Sequence, residues 1–260
     1  MVHTVRDISY TSDAGNVRNQ LDVYYSNKSS VRDVIVFVHG GAWESGSKDT
    51  YKYLGRNFVR KGLVAVIINY SLSPNFIYRM AQDCAAALLW VHQSIGNYGG
   101  NPNRIFAMGH SAGGHLIALI NADRRFFGEY GLASPIYGLI LLDAFGLDMY
   151  EYLSQELSPN DRYYNTFLQV FSNDPHNWRR ASPMRYLKNI RNPQLFLVGG
   201  NTYPSIEKQN RRLFSILTSS RQAPAEFHEI PGRGHVAMVA YMFFAGNHQY
   251  DLILDFIQRY

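Results

Sequence analysis

The chain of 260 residues contains a single cysteine, Cys84, which lies within an apolar helical pattern. One cysteine cannot form an intramolecular disulfide bond, and it excludes a metal cluster built on cysteine ligands. We expect the Cys84 thiol to be buried and inert. The sequence also lacks H-E-x-x-H and comparable spacings of metal ligands, so we expect no metal ion.

The sequence also lacks any apolar run of 18 or more residues, the length that a membrane-spanning helix needs. The N-terminal stretch MVHTVRDISYTSDAG has neither a basic start followed by an apolar core nor a small-residue cleavage site, so no secretory signal is expected. These two absences predict a soluble protein that has no membrane partner and is located in the cytoplasm.

Basic residues are not concentrated in any part of the chain. The formal net charge is +5, but the 25 Lys and Arg residues are scattered, with only short pairs such as Arg124-Arg125 and Arg211-Arg212. A nucleic-acid-binding domain usually clusters its basic residues on one face or along one helix. We therefore expect no nucleic-acid partner.

The pattern of apolar runs predicts an α/β fold. Six β-rich apolar runs alternate with helical patterns, and such continuous runs are typical of a parallel sheet covered by helices on both faces. The runs are 34–40, 63–70, 104–110, 137–144, 195–200 and 226–232. Segments 5–12 and 20–26, joined by 13–19, predict an antiparallel hairpin at the sheet edge. The length fits one domain, 1–260.

One segment, 144–187, is much longer than a simple connection between two strands. It is rich in aromatic residues, which stand among polar residues and prolines. Ligands bind at the carboxyl ends of the strands in an open α/β sheet, which is where this insertion would lie. We therefore expect it to form a cap over a binding site.

The strongest chemical signal is the sequence GHSAG around Ser111, which matches G-x-S-x-G between an apolar strand and a helical pattern. A sharp turn from strand to helix exposes the serine hydroxyl, and the glycines permit close backbone contact on either side. Ser111 is therefore the candidate nucleophile. The helix that follows would direct the N–H of Ala112 at an oxyanion formed there.

Two further motifs supply the groups that such a serine needs. The stretch HGGAW, after the first parallel strand, places glycines in a loop at the same sheet edge, and Gly41 and Ala42 are candidate oxyanion-hole donors. Trp43 is expected to line the substrate pocket. His235, in the Gly-rich loop GRGH after the last strand, is the candidate general base.

Two other histidines, His110 and His115, flank the serine along the chain, and we expect them to pack or to cap the local backbone.

HGGAW, GHSAGGH and the late G-x-G-H, in that order, resemble an α/β-hydrolase of the carboxylesterase and kynurenine formamidase branch. The segments QLDVYY, INYSLSP and NDPHNWRRASPMRYL resemble framework segments of the same branch. The resemblance implies the α/β-hydrolase fold and hydrolysis of small esters or N-formyl amides through an acyl-enzyme, without a cofactor.

The resemblance also places an acidic residue after the strand LFLVGG, within G-x-D-x-P, where this chain has Thr202. We expect the acid to be Asp143 instead, because it ends the preceding strand at the same sheet edge. Thr202 would then be a neutral bystander. Three other carboxylates and a Ser-His dyad without any carboxylate remain as alternatives. The three are Asp148, Asp174 and Glu207.

Together these features predict a serine carboxylesterase that cleaves small or aromatic esters. An arylformamidase that acts on N-formylkynurenine-like amides is the alternative enzyme. A non-catalytic protein that binds small molecules on the same fold is the alternative of another class, and the substituted Thr202 is its best support. The sequence leaves the oligomeric state open, a dimer included.

Overall fold

The computed structural model describes residues 1–12, 16–27 and 30–260, in which eight strands form one sheet in the order β1-β2-β4-β3-β5-β6-β7-β8. The strands are β1 His3–Ser9, β2 Gln20–Tyr25, β3 Arg32–Val38, β4 Val64–Ile68, β5 Gly100–His110, β6 Ile136–Leu142, β7 Gln194–Gly199 and β8 Ala225–Ile230. The pairs β1–β2 and β2–β4 are antiparallel, and the other neighbours are parallel. The six predicted parallel strands and the edge hairpin are therefore confirmed.

The edge hairpin has an irregular register. Pairing of β1 with β2 shifts between Val5 and Ile8, and Asp7 between them has φ 57°. A residue inserted in this way bends an edge strand away from regular pairing. Of the predicted connection 13–19, residues 13–15 lie outside the described residues.

Ten α-helices are described in the same ranges. They are α1 Lys52–Arg60, α2 Ile77–Ser94, α3 Ala112–Ala122, α4 Arg125–Gly128, α5 Met149–Glu151, α6 Tyr164–Phe171, α7 Pro175–Arg180, α8 Pro204–Ser219, α9 His235–Ala240 and α10 His248–Arg259. Four of them, α1, α2, α3 and α8, are the predicted crossover helices. No helix of the described ranges combines the length and apolarity that crossing a bilayer requires.

Both faces of the sheet are covered, which explains the continuous apolar strands. In β3, Val34 and Val36 pack into the core beneath α2, α3 and α8, whereas Ile35 and Phe37 pack into the core beneath α1 and α10. Side chains alternate between the faces of a strand, so a strand that is buried on both sides has no polar positions. Cys84 of α2 is buried as expected, and burial raises the pKa of its thiol.

The segment 144–187 folds into α5, a π-helical turn, α6, α7 and the start of a 3₁₀ segment. Two side-chain hydrogen bonds tie α6 to loops at the carboxyl ends of strands: Thr166 to Glu44 after β3 at 2.6 Å, and Ser73 after β4 to Gln169 at 3.1 Å. The insertion therefore lies over the carboxyl edge of the sheet.

Candidate active site

Ser111 lies in the sharp turn between β5 and α3, with φ 54° and ψ −121°. A Cβ atom on Gly109 would lie 2.4 Å from the carbonyl oxygen of Gly113, and one on Gly113 would lie 2.2 Å from that of Val38. Both positions therefore exclude any side chain. The two glycines of G-x-S-x-G are required here because backbone segments touch on both sides of the serine.

The side chains of Ser111, His235 and Asp143 form one hydrogen-bonded chain. His235 Nε2 lies 2.8 Å from Ser111 Oγ, and His235 Nδ1 lies 2.7 Å from Asp143 Oδ2. A carboxylate only accepts hydrogen bonds, so the ring proton is on Nδ1 and Nε2 accepts from the serine hydroxyl. The serine is 9% exposed, whereas the Asp143 side chain is fully buried. The arrangement can move a proton from Ser111 to His235.

Three different elements of the sheet edge position these groups. Asp143 directly follows β6, its N–H donates to Leu197 O of β7 at 2.8 Å, and the N–H of Ser111 donates to Leu142 O at 3.2 Å. His235 is the first residue of α9. The sequence predicted a loop there, because the glycines obscure a helix of only six residues.

The prediction that Thr202 is a neutral bystander is wrong. Its hydroxyl donates a hydrogen bond to Asp143 Oδ2, the same oxygen that accepts from His235. The hydroxyl therefore contacts the carboxylate and not the imidazole. The sequence could not show this contact, because it depends on the turn that brings residue 202 back over the end of β6.

The other candidate acids have structural partners away from Ser111. Asp148 accepts from the N–H of Glu151 at 3.1 Å, and Asp174 caps α7 through the N–H of His176 at 2.8 Å. Glu207 pairs with Arg211 on the surface of α8. The side chains of these three residues therefore have roles in helix ends and surface pairs.

The HGGAW loop lies against the serine. A Cβ atom on Gly40 would be 3.0 Å from the Cβ of Ser111. Gly41 and Ala42 follow with φ 118° and 51°, and within the described ranges their N–H groups donate to no acceptor. Ala112 begins α3 immediately after the serine. The three candidate donors thus belong to two backbone segments that meet at Ser111.

The prediction that Trp43 lines the pocket is wrong for this conformation. Its side chain has no exposed surface and packs edge to face against four rings of the insertion and of α3. The ring centroids lie at 5.2 Å (His115), 5.9 Å (Phe145), 5.5 Å (Phe167) and 4.9 Å (Phe171). Trp43 instead supports the inner wall of the insertion.

Burial keeps the histidines that flank the serine neutral. Burial, and then the nearby His235, lowers the pKa of His110 to about 3, and burial lowers that of His115 to about 4. His115 Nε2–H donates to Ala181 O at 2.8 Å, which ties α3 to the insertion. The prediction that both histidines pack is confirmed, since both are buried.

His110 also contacts His235 directly, which the sequence did not indicate. Its ring stacks on the His235 ring at 4.8 Å between centroids, and its Nε2–H donates to the backbone carbonyl of His235 at 3.0 Å. A neutral ring in this position holds the His235 backbone without adding charge. In the sequence, the only indication of this contact was that His110 directly precedes Ser111 in the G-x-S-x-G motif.

Aromatic residues lie close to Ser111 and His235. Tyr203 is 58% exposed and its ring centroid lies 5.3 Å from that of His235. Phe145, whose N–H donates to Ser111 O at 3.2 Å, packs on Tyr152 at 4.8 Å and on Phe167 at 5.7 Å. The sequence did not single out Phe145 and Tyr203, although each is within two residues of Asp143 or Thr202.

Positive φ angles at non-glycine residues concentrate around this site. Seven such residues occur in the described ranges, and four of them are Ala42, Trp43, Ser111 and Asp143. Side chains disfavour this region of conformational space, and backbone strain of this kind accumulates at functional sites. The backbone geometry therefore marks the same place as the hydrogen-bonded side chains.

Other features of the described ranges do not compete with this site. No group of three His, Cys, Asp or Glu side chains there could hold a metal ion. Two surface cavities of about 420 and 380 Å³ lie at the amino ends of the strands, beside residues 30–33 and 132–137. They are at the opposite edge of the sheet from Ser111.

Solved structures share this architecture. The crystal structure of esterase B from Lactobacillus Rhamnosis (HN001) superposes with a TM-score of 0.82, covering 99% of this chain and 85% of that chain at 18% sequence identity. The fold is the α/β-hydrolase fold, as the sequence motifs implied.

Residues 21–216 match the model of the BD-FAE family, and the chain belongs to that family. It is 29% identical over 232 residues to the probable isoprenylcysteine alpha-carbonyl methylesterase ICMEL1 of Oryza sativa subsp. japonica, covering 84% of this chain and 54% of the relative. The chain thus spans about half the length of that relative. It is 24% identical over 251 residues to the kynurenine formamidase of Danio rerio, covering 92% of this chain and 77% of the relative.

Proposed function

We propose that the protein is a serine esterase that hydrolyses small or aromatic carboxylic esters through an acyl-enzyme on Ser111. The observation that carries this proposal is the hydrogen-bonded chain from Asp143 through His235 to Ser111. A serine hydroxyl is a weak nucleophile at neutral pH, and an imidazole held in the correct tautomer by a carboxylate activates it. This function needs no metal or cofactor.

In the first half-reaction, Ser111 Oγ attacks the ester carbonyl carbon while His235 Nε2 takes the hydroxyl proton. Buried Asp143 stabilises the resulting imidazolium. The carbonyl oxygen becomes an oxyanion, which the N–H groups of Gly41, Ala42 and Ala112 receive. The intermediate collapses, the bond to the alcohol oxygen breaks, and His235 returns its proton to that oxygen.

In the second half-reaction, water takes the place of the alcohol. His235 removes a proton from the water, the hydroxide oxygen attacks the acyl carbon, and the same N–H groups receive the second oxyanion. Cleavage of the bond to Ser111 Oγ releases the carboxylic acid, and the proton on His235 returns to the serine.

The substrate class follows from the surroundings of the serine. Tyr203 is exposed beside the His235 ring, and Phe145 is hydrogen-bonded through its N–H to Ser111 O, so aromatic residues lie next to the serine and suit an apolar acyl or alcohol group. We propose that segment 144–187 is the cap that closes over this group, with Trp43 supporting it from below. The relative from Oryza sativa is named as a probable isoprenylcysteine alpha-carbonyl methylesterase, which agrees with an ester of a small alcohol.

A formamidase would use the same catalytic groups, and the match to the Danio rerio kynurenine formamidase keeps it as the second candidate. Hydrolysis of p-nitrophenyl acetate and of N-formylkynurenine, measured on one preparation, separates the two. We expect kcat/KM to be higher for the ester, and the reverse order would assign the formamidase.

A fluorophosphonate probe tests whether Ser111 is activated at all. We expect stoichiometric labelling of the peptide that contains Ser111 and no labelling of the Ser111→Ala variant. A folded protein that the probe does not label would support the non-catalytic alternative and overturn the proposed function.

A further inference from the structure

We infer that Thr202 is a positioning residue for the reaction, because its hydroxyl fixes the Asp143 carboxylate in the orientation that His235 requires. This inference rests on the proposed function of the Ser111 site. Thr202 is not a catalytic residue, since it acts only through the carboxylate.

The Asp143 carboxylate is fully buried, and three donors approach it. The N–H of Gly199 donates to Oδ1 at 2.8 Å. His235 Nδ1 and the Thr202 hydroxyl both donate to Oδ2. A buried carboxylate without enough donors is costly, and rotation of its plane would break the contact with His235. The Gly199 N–H holds Oδ1 and the Thr202 hydroxyl holds Oδ2. These two hydrogen bonds together set the plane of the carboxylate.

The turn that carries Thr202 is itself bonded to both sides of the site. The Thr202 N–H donates to Gly199 O at 3.1 Å, which closes the turn, and the Asn201 N–H donates to Arg233 O at 2.9 Å. Arg233 precedes His235 by two residues. A Cβ atom on Gly199 would lie 2.4 Å from Arg233 O, so the turn and the His235 segment are in direct contact. The turn 199–202 thus holds the acid and the base at a fixed separation.

Thr202→Val removes the hydroxyl at constant side-chain shape, and Thr202→Ser is the matched control that keeps it. We expect Thr202→Val to lower kcat for p-nitrophenyl acetate about 10-fold, the scale of one hydrogen bond to a charged group, with KM changed less than about 2-fold. Thr202→Ser should restore kcat.

Equal kcat in Thr202→Val and the wild type would overturn the inference while leaving the esterase in place. A loss in kcat that Thr202→Ser does not restore would also overturn it, because the hydroxyl would then not be the cause.

The proton resonance of His235 Nδ1–H supplies a readout that does not need activity. We expect the resonance to shift in Thr202→Val and to return in Thr202→Ser. If the wild type neither hydrolyses esters nor reacts with the fluorophosphonate, the proposed function fails. An unshifted resonance in folded Thr202→Val overturns the inference independently of that result.

Discussion

At the residue scale, the carboxylate that is hydrogen-bonded to His235 stands one strand earlier than the resemblance implied. Asp143 accepts from His235 at 2.7 Å, and the position where the family usually carries the acid holds Thr202. The Thr202 hydroxyl and the His235 ring share one acceptor, Asp143 Oδ2, so the two positions are in direct contact.

Asp143→Asn should therefore lower kcat for p-nitrophenyl acetate by roughly 10,000-fold, because an amide allows the wrong histidine tautomer and cannot stabilise the imidazolium. The measurement is steady-state hydrolysis, with thermal unfolding as the check that the variant is folded. A folded Asp143→Asn variant of near-normal activity would remove Asp143 from the mechanism.

Adding Thr202→Asp to Asp143→Asn should recover at least about 10-fold of that loss, because a carboxylate at 202 lies within reach of His235 Nδ1. The Asp143→Asn/Thr202→Ser double variant, which keeps a hydroxyl at 202, is the control and should show no recovery. If both double variants have equal activity, the two positions are not interchangeable.

The sequence predicted which residues come together at this scale, but not every contact between them. Ser111, His235 and Asp143 share a sheet edge because each follows a strand of one parallel sheet, and apolar runs show where those strands lie in the sequence. Their catalytic roles remain predictions. The Thr202 hydroxyl bond, the burial of Trp43 and the bond from His110 depend on turn geometry and packing, which have no periodic signal.

At the scale of single elements, the strand β5, the turn and the helix α3 hold the serine by direct backbone contact. Gly113 of α3 packs on the carbonyl of Val38, at the end of β3, with no room for a methyl group. The position of α3, and with it the N–H of Ala112, is therefore set by glycine.

Gly113→Ala should lower the free energy of unfolding by about 1–3 kcal/mol, because the added methyl group forces the helix away from β3. Urea unfolding measures this change, and ester hydrolysis should fall with it. Gly128→Ala in α4 is the matched control, since a Cβ atom there has no neighbour within 4 Å. If both variants lower the free energy of unfolding equally, the contact with Val38 is not the cause of the destabilisation.

The helices that the sequence analysis predicted are ones that connect strands. The four crossover helices follow from long apolar patterns, whereas α9 and α10 are absent from the prediction. Ile253, Phe256 and Ile257 of α10 are buried at the spacing of one helix face, so the signal was present. In the insertion, α6 buries Phe167, Val170 and Phe171 at the same spacing, whereas α7 buries none of its residues and has no such pattern.

At the scale of the whole molecule, three buried histidines make the fold sensitive to acid. Burial lowers the pKa of His39 to about 4, that of His110 to about 3 and that of His115 to about 4. In the unfolded chain these rings take up protons below a pH of about 6.5, whereas the folded protein keeps them neutral. Between about pH 6.5 and 4 the unfolded state binds more protons, so stability falls as the pH falls.

The free energy of unfolding should therefore decrease from pH 7 to pH 5 by up to about 1.4 kcal/mol per pH unit for each of these histidines. Urea unfolding at the two pH values measures the decrease. His115→Gln, which has no titrating ring, should be less stable at pH 7 and should lose less on acidification. If the wild type has the same free energy of unfolding at pH 7 and at pH 5, protonation of the buried rings does not destabilise the fold, and the prediction is wrong.

The central claim concerns a covalent acyl-enzyme on Ser111, and rapid mixing with p-nitrophenyl acetate followed by an acid quench tests it most directly. Mass spectrometry of the digested protein should find an acetyl group on the peptide that contains Ser111, and none in the Ser111→Ala variant. Hydrolysis of the ester without any acetylated Ser111, or with the acetyl group on another residue, would contradict the account.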